Sequence, residues 1–150
     1  MKSWILGKVR GACLGLAMLS VAGFLSSSAQ ASAVHNVTVT KGPGWVRVNV
    51  HGGGAYRVHE LPVGSSAYRS IAIDVPNGYV GGGLEPKNRV PVNEGLVAQV
   101  RVKQMRGFLR VYVDVISFPK YQTSHDGHGL ALGIDAYHMR NGNPIAPKSW

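Results

Sequence analysis

Two stretches of this chain repeat one another, and both are written in strict alternation. Val100 to Val115 reads V-R-V-K-Q-M-R-G-F-L-R-V-Y-V-D-V. Val100 and Val102 alternate with Arg101 and Lys103. After a basic turn at Met105-Arg106-Gly107, Leu109, Val111, Val113 and Val115 alternate with Phe108, Arg110, Tyr112 and Asp114. Period-two alternation with β-branched residues on one side marks the half-buried strands of a hairpin. Sixty-three residues earlier (37 against 100), Val37, Val39, Gly44, Trp45, Val46, Arg47, Val48 and Val50 occupy the places of Val100, Val102, Gly107, Phe108, Leu109, Arg110, Val111 and Val113. A second echo follows each copy: Ser70-Ile71-Ala72-Ile73-Asp74 is matched by Leu130-Ala131-Leu132-Gly133-Ile134-Asp135. Two copies are too few for a solenoid. They predict an all-β fold, a small sandwich of two similar antiparallel sheets arising from an internal duplication.

Residues 1–31 stand outside that pattern and read as a secretory signal peptide. Lys2, Lys8 and Arg10 form a positive start, and Cys13 to Leu25 is an apolar run short for a bilayer. Ala29-Gln30-Ala31 is a small-residue cleavage signal. Ala31-Ser32-Ala33 offers a second frame, so cleavage after Ala31 or Ala33 is left open. Cleavage would leave no membrane span and one domain's worth of chain. It would also remove Cys13, the single cysteine, and with it any disulfide, thiolate ligand or cysteine nucleophile. Three of the sixteen basic residues would go too, leaving thirteen against seven acids, or +6. An exported basic domain favours acidic partners such as wall carboxylates, teichoic or lipid phosphates, or acidic glycans. Export argues against nucleic acid.

Residues 32–139 hold the β pattern. Strands are expected at Val34 to Thr40 and Trp45 to Val50, joined by Lys41-Gly42-Pro43-Gly44, with extended chain from Ala55 to Leu61. A further strand spans Arg69 to Val75 and stops at the turn Pro76-Asn77-Gly78. Tyr79 to Gly95 reads as a long connection with room for one short strand. The hairpin Gly95 to Lys103 and Phe108 to Val115 follows, then an edge segment after Phe118-Pro119-Lys120-Tyr121, a polar turn from Thr123 to Gly129, and a last strand from Leu130 to Ala136. Residues 140–150 read as a flexible tail.

The later half resembles the AMIN domain, whose pattern is V-x-x-V-R-x-x-Q, a basic turn, R-V-x-V-D, a tyrosine and a final L-x-Φ-x-I strand. Here Val97, Val100, Arg101 and Gln104 are followed by Arg110, Val111, Val113 and Asp114, then Tyr121, then Leu130, Leu132 and Ile134. Ile71 to Asn77 is similar to the family's first-half Φ-V-I-D segment, and Val46 to Val50 to its opening strand. Ala67-Tyr68-Arg69-Ser70 replaces the proline–arginine pair that usually leads into the first-half strand. The resemblance implies two symmetric β-sheets and a non-catalytic module that targets peptidoglycan in exported cell-envelope proteins, notably amidases and secretins. Localisation would be the periplasm or the wall-facing envelope, with an amidase, secretin or division complex as neighbour. A linked amidase would require a further domain of ordinary size, so the chain is expected to be the targeting module alone.

The side chains opposite the apolar faces are the candidate ligand surface: Trp45 and Arg47 on one strand, Phe108, Arg110 and Tyr112 on its repeat, with Arg101, Lys103 and Arg106 extending the positive field. An aromatic ring packs on a sugar's apolar face, and a guanidinium grips a carboxylate two-pronged. The competing structural role pairs Arg47 with Asp74, and Arg110 with Asp135 or Asp114, leaving the aromatics to cover sheet edges. A rival function is protein docking by β-edge pairing to an envelope complex.

Enzymatic and metal chemistry have little footing. His51-Gly52-Gly53-Gly54 matches an oxyanion-loop string, but no G-x-S-x-G nucleophile turn accompanies it. His125 and His128 flank Asp126-Gly127 and at best form part of a metal site, which needs three or four supported ligands. The expectation is no catalytic residue, no metal and no cofactor.

Overall fold

The computed structural model describes residues 31–63, 67–81 and 89–142. The leader reading falls on residues 1–30 and lies outside them, as do residues 143–150 of the expected tail and residues 82–88 of the long connection. The described chain forms ten strands: β1 (Ser32–Gly42), β2 (Trp45–Gly52), β3 (Arg57–Leu61), β4 (Arg69–Pro76), β5 (Gly78–Val80), β6 (Val90–Glu94), β7 (Val97–Met105), β8 (Phe108–Val115), β9 (Pro119–His125) and β10 (Gly129–Met139). They make two five-stranded sheets. Sheet I runs β5-β1-β2-β10-β9 and sheet II runs β3-β4-β8-β7-β6. Val46, Val48, Val50, Leu130, Leu132 and Ile134 from sheet I join Ile71, Ile73, Val75, Leu109, Val111 and Val113 from sheet II in one buried core.

Neither repeat unit builds a sheet of its own. Each contributes one hairpin to each sheet. β2 of the first unit pairs with β10 of the second, placing Arg47 opposite Gly133 and Val48 opposite Leu132. β8 of the second unit pairs with β4 of the first, placing Arg110 opposite Asp74 and Val111 opposite Ile73. Exchanging the units leaves this pattern unchanged, so Trp45, Arg47 and Asn49 are the counterparts of Phe108, Arg110 and Tyr112. The exchange buries both apolar faces of each hairpin pair without a long free edge between units. It also corrects the sequence echo: Asp74 corresponds to Gly133, and Asp135 stands opposite Trp45.

The turns follow from local chemistry. Each opening hairpin closes over two residues, Pro43-Gly44 and Arg106-Gly107, with Gly44 at φ 80° and Gly107 at φ 85°, a region glycine enters without steric cost. The turn at Asn77 (φ 51°) is present, but the chain continues directly into β5, which pairs parallel to β1. Sheet I is therefore mixed where an antiparallel sheet was expected. β6 supplies the short strand anticipated in the long connection. The polar turn before β10 is shorter than predicted, because Thr123 to His125 belong to β9. Arg140, assigned to the flexible tail, is held. Its backbone N–H donates to the Phe118 carbonyl at 2.8 Å, and its guanidinium grips Glu60 at 3.0 and 2.5 Å. Burial, then the adjacent Glu60, push Tyr121 up to about 12. No helix among the described residues is long and apolar enough to cross a membrane.

Candidate functional site

The two outer faces are built on equivalent scaffolds and carry different chemistry. On sheet II, Arg110 donates through Nε and Nη2 to Asp74 at 2.5 and 2.7 Å. Two rows away, Asp114 is fully buried and accepts from Ser70 Oγ (2.7 Å), Gln99 Nε2 (2.5 Å) and both Nε and Nη2 of Arg101 (2.6 and 2.8 Å). Burial alone would raise the Asp114 carboxyl, but the bonds from Arg101, Gln99 and Ser70 hold it below the usual carboxylate value. The arginines interleave with aromatics: Cζ of Arg101 lies 4.6 Å from the Tyr112 ring centre, and that of Arg110 lies 5.0 Å from Phe108 and 5.7 Å from Tyr112. This is a cation–π ladder clamped by two carboxylates.

His59 completes that layer. Its side chain is buried, Nε2 lies 3.7 Å from Asp74, and Nδ1 has no hydrogen-bond partner. Burial lowers its pKa more than Asp74 raises it, and Arg110 and Arg57 lower it further.

These contacts correct the pairings expected from sequence. Arg47 cannot reach Asp74 and Arg110 cannot reach Asp135, because the hairpin exchange puts each pair on different sheets. Arg110 takes Asp74, and Arg101 takes Asp114. The alternation put Asp114 on the outward face, as observed, but Arg101, Gln99 and Ser70 cover it there. Lys103 and Arg106 remain exposed near the β7–β8 turn.

Sheet I presents an open face. Trp45 is 47% exposed. Its indole lies over Gly42, where an added Cβ would come within 2.5 Å of Nε1. The missing side chain lets the ring lie flat on the neighbouring strand. Arg47 is exposed, its Nε donating to Asn49 Oδ1 at 3.1 Å. Asn49 donates to Thr38 Oγ1 at 3.3 Å, and Thr38 in turn meets His51 Nε2 at 3.0 Å. Opposite Arg47, where sheet II has Asp74, stands Gly133. Among the described residues no acid pairs with Arg47.

Around Gly133 lies an open trough of about 950 Å³, lined by Trp45 and Arg47 from β2, Lys120 and Gln122 from β9, and Asp135 and Tyr137 from β10. Tyr137 is seated against Gly44 and Gly95 and donates its hydroxyl to Glu94 at 2.9 Å. Asp135 accepts from His138 Nδ1 at 2.7 Å and from the N–H groups of Tyr137 and His138. The His138 side-chain bond holds its carboxyl below the usual range.

Of the sequence-predicted residues, Trp45 and Arg47 therefore share this trough, while Arg101, Lys103, Arg106, Phe108, Arg110 and Tyr112 lie together on sheet II. Lys120, Gln122, Asp135 and Tyr137 were not singled out. The alternation of Leu130, Leu132, Ile134 and Ala136 does turn Gly133, Asp135 and Tyr137 outward, but placing them beside Trp45 requires knowing that β10 pairs with β2. His125 packs against the Tyr56 ring with centres 5.6 Å apart. No group of three or more His, Cys, Asp and Glu among the described residues is arranged to hold a metal.

The molecule is thus an all-β module of two sheets, with one outer face closed by ion pairs and one left open. Residues 62–134 match the family model of the AMIN domain. AMIN domains are targeting and binding modules of envelope proteins and are not catalytic. The match spans β4 to β10. The β1–β2 hairpin precedes it, yet occupies in sheet I the place that β7–β8 occupies in sheet II. No curated protein matches the chain.

Proposed function

We propose that this protein is an exported, non-catalytic module that binds the cell wall, with peptidoglycan as its ligand, through the outer face of sheet I. The carrying observation is the trough in which an exposed indole and an arginine without an opposing acid stand side by side. The AMIN match and the leader-like residues 1–31 support the same reading.

Trp45 packs on an apolar sugar face and Arg47 grips a carboxylate. Lys103 and Arg106 add to the attractive field from the neighbouring sheet. Phe108, Arg110, Tyr112 and Arg101 serve mainly the fold, since both guanidinia already hold carboxylates. Substituting Arg101 or Arg110 would strand Asp114 or Asp74 and confound a binding assay with unfolding. Arg47 is the cleaner probe.

Co-sedimentation of the purified protein with intact sacculi tests the proposal. Pelleting that saturates and declines as salt shortens the Debye length from about 10 Å at 0.1 M to about 3 Å at 1 M is the expected result. Absence of pelleting at low salt would overturn it and redirect attention to envelope proteins as partners.

A further inference from the structure

We infer that Gly133 sets the ligand class of the sheet I trough, keeping Arg47 available for a free carboxylate carried beside a sugar ring, the chemistry of a glycan-linked acidic peptide. This rests on the wall-binding reading and narrows it.

Arg110 and Arg47 hold the same place in their sheets, and each directly faces one residue across the ladder: Asp74 for Arg110, Gly133 for Arg47. Asp74 occupies both prongs of its arginine. Glycine offers nothing to Arg47, whose one described side-chain bond is to the neutral Asn49.

The backbone does not demand glycine at 133. Its φ is not in the positive range, and an added Cβ would meet only Gln122, at an ordinary 3.9 Å. By contrast, Gly129 on the same strand would drive a Cβ to 2.0 Å from the Val50 carbonyl oxygen. Position 133 has room for a side chain and carries none.

The charges around the vacant position favour an anion. Arg47 flanks it from β2, and Lys120 lies one row away on β9. The acid nearest in the ladder, Asp135, is already engaged by His138 and two backbone N–H groups. Trp45, opposite Asp135, supplies the apolar surface beside the cation. A carboxylate seated over Gly133 would stand in for the Asp74 side chain, with a ring against the indole.

The test uses a muramyl dipeptide bearing one free carboxylate, the same molecule with that carboxylate amidated, and intact sacculi. The variants are Gly133→Asp, Gly133→Asn and Arg47→Ala. Gly133→Asp should recreate on sheet I the clamp of sheet II and weaken binding of the acid by at least about tenfold, the scale of one charge-assisted hydrogen bond. Amidation of the ligand should cost the wild type about as much. Gly133→Asn has the same bulk without the charge and should stay within about threefold of wild type. Thermal midpoints show whether each variant is folded; if Gly133→Asp is not, Arg47→Ala carries the same test at an exposed position. Equal wild-type affinity for acid and amide, or full binding by folded Gly133→Asp or Arg47→Ala, would overturn the inference while sacculus pelleting leaves the wall reading standing. If the wild type fails to pellet with sacculi, the wall reading falls and the inference falls with it.

Discussion

Sheets I and II share a pairing scheme but spend their arginines differently. On sheet II, Arg110 and Arg101 are bound to Asp74 and Asp114, and Tyr112 and Phe108 fill the spaces between them. On sheet I, the counterparts of those acids are Gly133 and His51, the counterpart of Arg101 is Thr38, and Arg47 stands open beside Trp45. Duplication provides two copies of one surface. Both acids are absent from the matching places on sheet I, which leaves that face open while sheet II is closed by its pairs. The same residue type in equivalent positions is structural in one sheet and available for a ligand in the other.

The largest effect should come from the closed face. Asp114→Ala leaves Arg101 and two further donors without their acceptor, and breaking such a buried pair costs roughly 3–5 kcal/mol. His51→Ala, the matched change on sheet I, touches an exposed side chain and should stay within about 0.5 kcal/mol. Urea unfolding of both variants would break the comparison if the two losses were alike.

Arginine removal should show the same asymmetry at smaller scale. Arg110→Ala leaves Asp74 buried without its cation and should cost about 3 kcal/mol. Arg47→Ala should leave the thermal midpoint nearly unchanged, on the order of 0.5 kcal/mol or less. Equal destabilisation would mean that Arg47 is also structural.

A pH dependence follows from His59. Burial keeps its folded pKa below the ordinary 6.5, so below about that pH the unfolded chain takes up a proton that the folded chain does not. Its stabilising contribution is therefore present above 6.5 and is lost as pH falls toward the folded value. Stability should therefore fall between pH 7.5 and 5.5, and His59→Leu should flatten that part of the profile. An unchanged slope in the variant would remove His59 from the account. Asp114 acts in the same sense in stronger acid: its folded pKa lies below 3.8, so its contribution is present above 3.8 and lost as pH falls through the folded value.

The smallest effect concerns the indole seat. Gly42→Ala would push a Cβ into Trp45, tilting the ring and weakening sugar contact by about threefold with little loss of fold. Trp45 fluorescence read alongside sacculus pelleting would check it. An unmoved emission spectrum would contradict the packing described.

Much of the fold was legible because alternation reports which side chains face inward. Val46, Val48, Leu109, Val111 and Leu132 all lie where that pattern puts them. Alternation says nothing about which strand lies beside which, so the exchange of hairpins and the Arg110–Asp74 pairing stayed hidden. β5, three residues long, and β6, carrying Pro91, are too short or irregular to print a period. Outward is also not the same as exposed: Asp114 faces away from the core and is still covered by its own partners. At the site, Trp45 and Arg47 could be read from their strand alone. Lys120, Gln122, Gly133, Asp135 and Tyr137 reach them only through long-range pairing of β2, β10 and β9.

The most direct measurement is pelleting of wild type and Arg47→Ala with intact sacculi at low salt, the two proteins matched for thermal stability. The open-face account predicts that wild type pellets and that Arg47→Ala stays largely in the supernatant. Equal pelleting of the two would contradict it and place the wall contact on another surface.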